Sequence, residues 1–165
     1  MMITTTDYAQ ELKDLGQDNN LAESDTWHRA TPEQQRKLVN AVVTFSNLID
    51  VNAQEYRAKQ TLEGEFIACV LYDWFFDLVE PGLTTLDYEL DTTYQPVDNV
   101  TSAIDYFSNR LLDDSSDMAN KIKILKQTYK EDEERIKKLA TDDETGQIDL
   151  GLVNDFSVEY RDSLY

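Results

Sequence analysis

Apolar side chains recur at helical spacing along most of this chain, and only five glycines and three prolines interrupt them. A helix brings residues three and four apart onto one face, so such a stripe is buried by packing helix against helix. Leu38, Val42, Phe45 and Ile49 form one stripe, and Val100, Ile104, Phe107 and Leu111 form another. Long periodic runs with few breakers predict an all-α fold, a single-domain bundle of about five or six helices.

The chain reads in five segments. Residues 1–30 hold a short helix from Asp7 to Leu15, stopped by Gly16, and a polar irregular stretch. Residues 31–80 read as a long helical pair. Thr31-Pro32-Glu33-Gln34 starts it: Thr31 suits the cap, Pro32 the first helical position, and Gln34 closes a capping box. Asn52-Ala53-Gln54-Glu55 looks like a second box, which predicts a break near residues 50–52 and a new helix from Ala53 to Val79. Within it, residues 66–79 form the most apolar run, 14 residues with two Asp. A membrane-crossing helix needs roughly 20, so this run predicts a buried core helix. Pro81-Gly82 should end it.

In residues 81–97 the period changes. Leu86, Tyr88 and Leu90 alternate with Asp87, Glu89 and Asp91, which predicts a short extended or hairpin insertion near residues 84–95. Helical spacing returns over 98–140, with a break and recap at Asp113-Asp114-Ser115-Ser116. Met118, Ile122, Leu125, Tyr129, Asp132, Ile136 and Leu139 then step by four and three, a heptad seam with one polar position. Residues 141–165 read as an acidic turn and a short C-terminal helix carrying Leu152, Val153, Phe156 and Tyr160.

The charge sets the functional question. The chain carries 33 acidic and 15 basic residues, a formal net of −18 on 165 residues. A net charge of roughly 2–8 suffices to keep a small domain soluble, and a larger one opposes compaction by self-repulsion. Seventeen aromatic residues and a 41% apolar content still allow a real core. The charge is uneven. Residues 81–120 hold eight acids and one base, whereas residues 121–140 hold four acids and seven bases. An acidic surface of this density disfavours direct binding to nucleic acid and favours a partner with a basic surface.

Motifs of catalysis are scarce. One His and one Cys cannot fill a four-ligand zinc site. Thr141 to Leu152 echoes a calcium loop at Asp143, Gly146, Ile148 and Asp149. It has Thr141 at the first position and Leu152 at the twelfth, where carboxylates belong. No P-loop, dinucleotide fingerprint or nucleophile elbow occurs. Asp73, Asp77 and Glu80 share a helix face and are the best residues for a carboxylate–Mg²⁺ hydrolase, a lesser reading. No metal site and no cofactor is expected.

These readings converge on a non-enzymatic acidic protein that binds a protein partner with a basic surface. Rows of carboxylates can imitate the regular phosphates of a nucleic-acid strand. The sharpest form is therefore a DNA mimic, an inhibitor of a DNA- or RNA-binding protein of the viral or mobile-element type. The partner-binding residues expected are Asp87, Glu89, Asp91, Asp98, Asp105, Asp113, Asp114 and Asp117. The alternative is a helical adaptor or assembly protein that pairs, as a homodimer or with a partner, through the seam from Met118 to Leu139. With no intrachain disulfide possible and no secretory signal at Met1–Asp7, a cytoplasmic location in the producing or host cell is expected, with no membrane contact.

Overall fold

The computed structural model describes residues 30–88 and 97–165, and the side chains of these other than 84–88 and 97–102. Six α-helices run through the described residues: α1 (Pro32–Arg57), α2 (Leu62–Tyr88), α3 (Val97–Ser116), α4 (Met118–Glu131), α5 (Glu133–Leu139) and α6 (Val153–Phe156). Two 3₁₀ segments, Leu150–Leu152 and Ser157–Leu164, flank α6. Among the described residues there is no β-strand, only an isolated antiparallel bridge between Thr141 and Ile148. The all-α class read from the periodicity is therefore correct. The short first helix expected over Asp7–Leu15 lies outside the described residues.

Helix α1 starts where its capping signal stands. The Thr31 hydroxyl accepts from the Gln34 N–H at 3.2 Å, and the Gln34 side-chain oxygen accepts from the Thr31 N–H at 2.9 Å. The two exchanged bonds satisfy donors that an uncapped helix leaves orphaned. The expected break near residues 50–52 is absent. Asn52 instead sits inside α1, where its amide donates to the Leu48 carbonyl at 2.7 Å. A residue suited to capping was thus absorbed by bonding one turn back along its own helix.

The real break falls at residues 58–61, where Gln60 takes a left-handed φ of 53°. Thr61 then caps α2, its hydroxyl accepting from the Gly64 N–H at 3.0 Å. Helix α2 also runs past Pro81, which costs it one backbone hydrogen bond. Gly82 lies against the Phe107 ring so closely that a Cβ there would fall 2.2 Å from a ring carbon. Residues 84–88, expected to be extended, are the last turns of α2; the rest of the insertion lies outside the described residues. Three alternating apolar residues were too short a signal to stop a helix already under way. Helix α3 continues through the expected break at Asp113–Ser116, and the chain breaks just beyond it, at Asp117, before α4 starts.

The chain divides into two compact units, Met1–Ser46 with Asp77–Ser115 and Asn47–Phe76 with Ser116–Tyr165, so α1 and α2 contribute to both. In the first unit the buried residues include Leu38, Val42, Phe45, Val79, Leu83, Ile104 and Leu111. The two stripes read from the sequence thus face inward wherever their side chains are described. Buried Ser108 and Ser115 each donate to the carbonyl four residues back, at 2.7 Å.

The second unit is built around Phe66, whose ring lies 5.7 Å from that of Tyr129 and 5.1 Å from that of Tyr160. Helix α4 packs on the Ser157–Leu164 segment and α5 on α6. Met118, Ile122, Leu125, Tyr129 and Ile136 of the heptad seam are all buried within the chain, and only Leu139 is exposed. The seam also changes direction at Asp132, which separates α4 from α5 with a non-helical φ of −124°. The polar seam position is satisfied internally, because the Tyr160 hydroxyl donates to the Asp132 carboxylate and accepts from the Arg135 guanidinium.

Candidate functional site

Helix α3 carries most of the described acidic candidates because its core stripe uses only one side. Ile104, Phe107, Ser108, Leu111 and Ser115 are buried. The 100° advance per residue therefore turns Asp105, Tyr106, Asn109 and Asp113 toward the opposite side. Asp113 is exposed, and Tyr106 keeps 72% of its surface in solvent, the most open aromatic among the described residues.

The eight acidic candidates are not all in one place. Asp87 falls in the last turn of α2 and Asp98 in the first turn of α3, their side chains outside the described set. Glu89 and Asp91 lie outside the described residues. Asp105 is half-buried and accepts from the Lys37 ammonium at 3.4 Å. Asp113 and Asp114 stand in the last turn of α3, exposed and half-buried respectively. Asp117 belongs to the second unit, where it caps α4 without a side-chain capping bond and accepts weakly from the Asn120 amide at 3.5 Å. Of the described candidates, Asp87, Asp98, Asp105, Asp113 and Asp114 belong to the first unit and Asp117 to the second.

Along the sequence the charge is densest around α3: residues 81–120 hold eight acids and one base, whereas residues 121–140 hold four acids and seven bases. Like charges on one short helix disfavour the isolated fold by a few tenths of a kcal/mol per pair. A surface that keeps them in solvent instead projects a negative field over roughly 8–10 Å at ordinary ionic strength.

Other candidate chemistry is taken up in structure. The Asp73 carboxylate, half-buried, accepts from the Ser157 hydroxyl. Burial raises its pKa, which the Ser157 bond and Arg161 partly counter. The Cys69 thiol is buried and pushed up to about 12, chiefly by desolvation and then by the Glu65 carboxylate, to which it donates at 3.5 Å. A thiol so held is the neutral, unreactive form. Arg57 donates to the same carboxylate at 3.1 Å, closing the junction between α1 and α2. In the acidic turn, Asp142 is spent on the backbone: its side chain accepts from the N–H groups of Glu144 at 2.7 Å and Thr145 at 3.3 Å. Gly146 takes the left-handed φ of 70° that closes the turn. Among the described residues, no group of three or more His, Cys, Asp or Glu is placed to hold a metal ion. No helix of the described residues is long and apolar enough to cross a membrane.

Two features escaped the sequence reading. One is Tyr106, whose only signal is its place off the stripe of Ile104, Phe107 and Leu111. The other is a cleft of about 390 Å³ in the second unit, lined by Asn52, Tyr56, Met118, Ala119, Ile122, Lys123 and Lys126. Its residues come from segments some sixty positions apart, a proximity that no local period encodes. No family model matches this chain, and neither a curated protein nor a solved structure resembles it.

Proposed function

We propose that this chain is a non-enzymatic binding protein whose first unit engages a basic protein surface through the outer face of α3 and the acidic residues that flank it. In its sharpest form it is a nucleic-acid mimic, which occupies the groove of a DNA- or RNA-binding protein and inhibits it. The observation that carries this reading is the eight-to-one excess of acids over residues 81–120, combined with the exposure of Asp113 and of an aromatic, Tyr106, on α3. Exposed carboxylates pair with Lys and Arg, and steer association from a distance. A protruding Tyr supplies what charge lacks, an amphipathic ring that can be desolvated at the centre of an interface and can face an incoming guanidinium. Function here is inferred from this surface and not from the helical fold, which serves many unrelated roles.

The test is capture of partners from host lysate on the tagged protein, washed at rising salt. Between about 0.1 M and 1 M salt the screening length falls from about 10 Å to about 3 Å, so a charge-driven complex elutes whereas an apolar one stays. The expected partner binds nucleic acid, is displaced by added duplex DNA, and is lost from the Asp113→Lys, Tyr106→Ala variant. Retention of the same partner by that variant, or at the highest salt, would refute the proposal.

A further inference from the structure

We infer that the cleft in the second unit is a binding site for a small amphipathic anion, one with an apolar or aromatic body and a sulfonate, carboxylate or phosphate head. The cleft holds about 390 Å³, within the range of roughly 300–1,000 Å³ usual for small-molecule sites. Two elements build it. Asn52 and Tyr56 stand four apart near the end of α1, and Met118, Ala119, Ile122, Lys123 and Lys126 follow one side of α4. Met118 and Ile122 are buried and form an apolar floor, whereas Lys123 and Lys126 are exposed at the rim.

The Tyr56 ring is a wall of this cleft and is already bracketed by cations, with the Lys126 ammonium 5.3 Å and the Lys59 ammonium 4.5 Å from its centroid. Neither Lys123 nor Lys126 is in ion-pair contact with a carboxylate among the described residues. Glu55 and Glu63 are near enough to help Lys126 keep its proton, a smaller influence than the Tyr56 hydroxyl. The ammonium is thus available in charged form, with no carboxylate seated on it.

The setting makes the charge match informative. A net of −18 repels anions from the molecule at large. Screening limits that repulsion to about 8–10 Å, so the nearest charges count most inside the cleft: the Lys123 and Lys126 ammoniums line it, whereas Glu55 and Glu63, which also act on Lys126, do not. An anion that enters gains two cationic partners at the rim and an apolar floor for its body. A neutral molecule of the same shape gains only the floor. The cleft therefore selects on head-group charge, and this inference is independent of the proposal for α3, which lies in the other unit.

The probe is 8-anilinonaphthalene-1-sulfonate, whose fluorescence rises on leaving water, beside N-phenyl-1-naphthylamine, the same body without the sulfonate. Titrated into the full chain at about 0.1 M salt, the anion should bind saturably at one site and more tightly than the neutral compound. Each exposed ion pair changes affinity by about 1.5- to 5-fold. The Lys123→Gln, Lys126→Gln variant should therefore lose about two- to thirtyfold in affinity for the sulfonate and little for the amine. Both lysines are exposed, and an unchanged thermal melt of the variant confirms an intact fold. Absence of saturable binding, equal affinity for the two compounds, or unchanged sulfonate affinity in the variant would each overturn the assignment.

Discussion

Gly64→Ala should destabilise this protein, although helix propensity alone predicts the opposite. Replacing Gly by Ala inside a helix favours folding by up to about 1 kcal/mol. Here the added methyl would sit 2.2 Å from the Tyr56 carbonyl oxygen and 3.0 Å from the Thr61 hydroxyl oxygen. Ordinary contact begins near 3.4 Å, so the carbonyl must retreat by about 1.2 Å. That carbonyl is backbone and accepts from the Lys59 N–H at 3.2 Å. The Thr61 hydroxyl is the α2 cap. Overpacking of this kind costs about 1–3 kcal/mol, and disturbing the cap adds about 0.5–2. Set against the propensity gain, the net is about 1–3 kcal/mol of lost stability. For a chain of this length each kcal/mol moves the melting point by about 2–4 °C, so the variant should melt about 2–12 °C lower. Thermal denaturation followed by circular dichroism reads this directly. An unchanged or raised melting point would show that the α1–α2 junction is not held as closely as the geometry requires.

Two further outcomes follow from the second unit. Tyr160→Phe removes the hydroxyl that donates to Asp132 and accepts from Arg135. Urea denaturation should show a loss of about 1–2 kcal/mol, and a cost near zero would mean that water replaces the hydroxyl without penalty. Asp73→Asn tests the sign of a raised carboxyl pKa. Burial lifts Asp73 above its ordinary 3.8. Its contribution to stability is therefore full below 3.8 and is lost as pH rises through the folded value. The variant keeps an acceptor for Ser157 and should gain on the parent at pH 7 but not at pH 3. Stability curves of the two proteins that run parallel across that window would contradict the assignment.

Much of the fold was legible because helical packing is written in local spacing. The Thr31–Gln34 box, the run at 66–79, buried except around Tyr72, Asp73, Phe76 and Asp77, and the stripes through Leu38–Ile49 and Ile104–Leu111 all depend on residues within a few positions of each other. Breaks were less legible, because a capping residue states only that a helix can start there. Asn52 bonded backward and left α1 intact, and Thr61 took the cap in its place. Pro81 by itself predicts a stop, yet packing of Phe107 on Gly82 accompanies a helix that continues past it.

The sequence by itself determined the charge, its concentration in residues 81–120, and the all-helical class, because composition and period require no knowledge of what touches what. Only the tertiary structure decided that the heptad seam is consumed inside the chain, since its apolar residues find Phe66, Tyr160 and their neighbours in place of a second helix of the same kind. It alone assigned Asp117 to a different unit from Asp105 and Asp113, and brought Tyr56 beside Lys126. Burial and charge proximity are properties of pairs distant along the chain, and no local periodicity contains them.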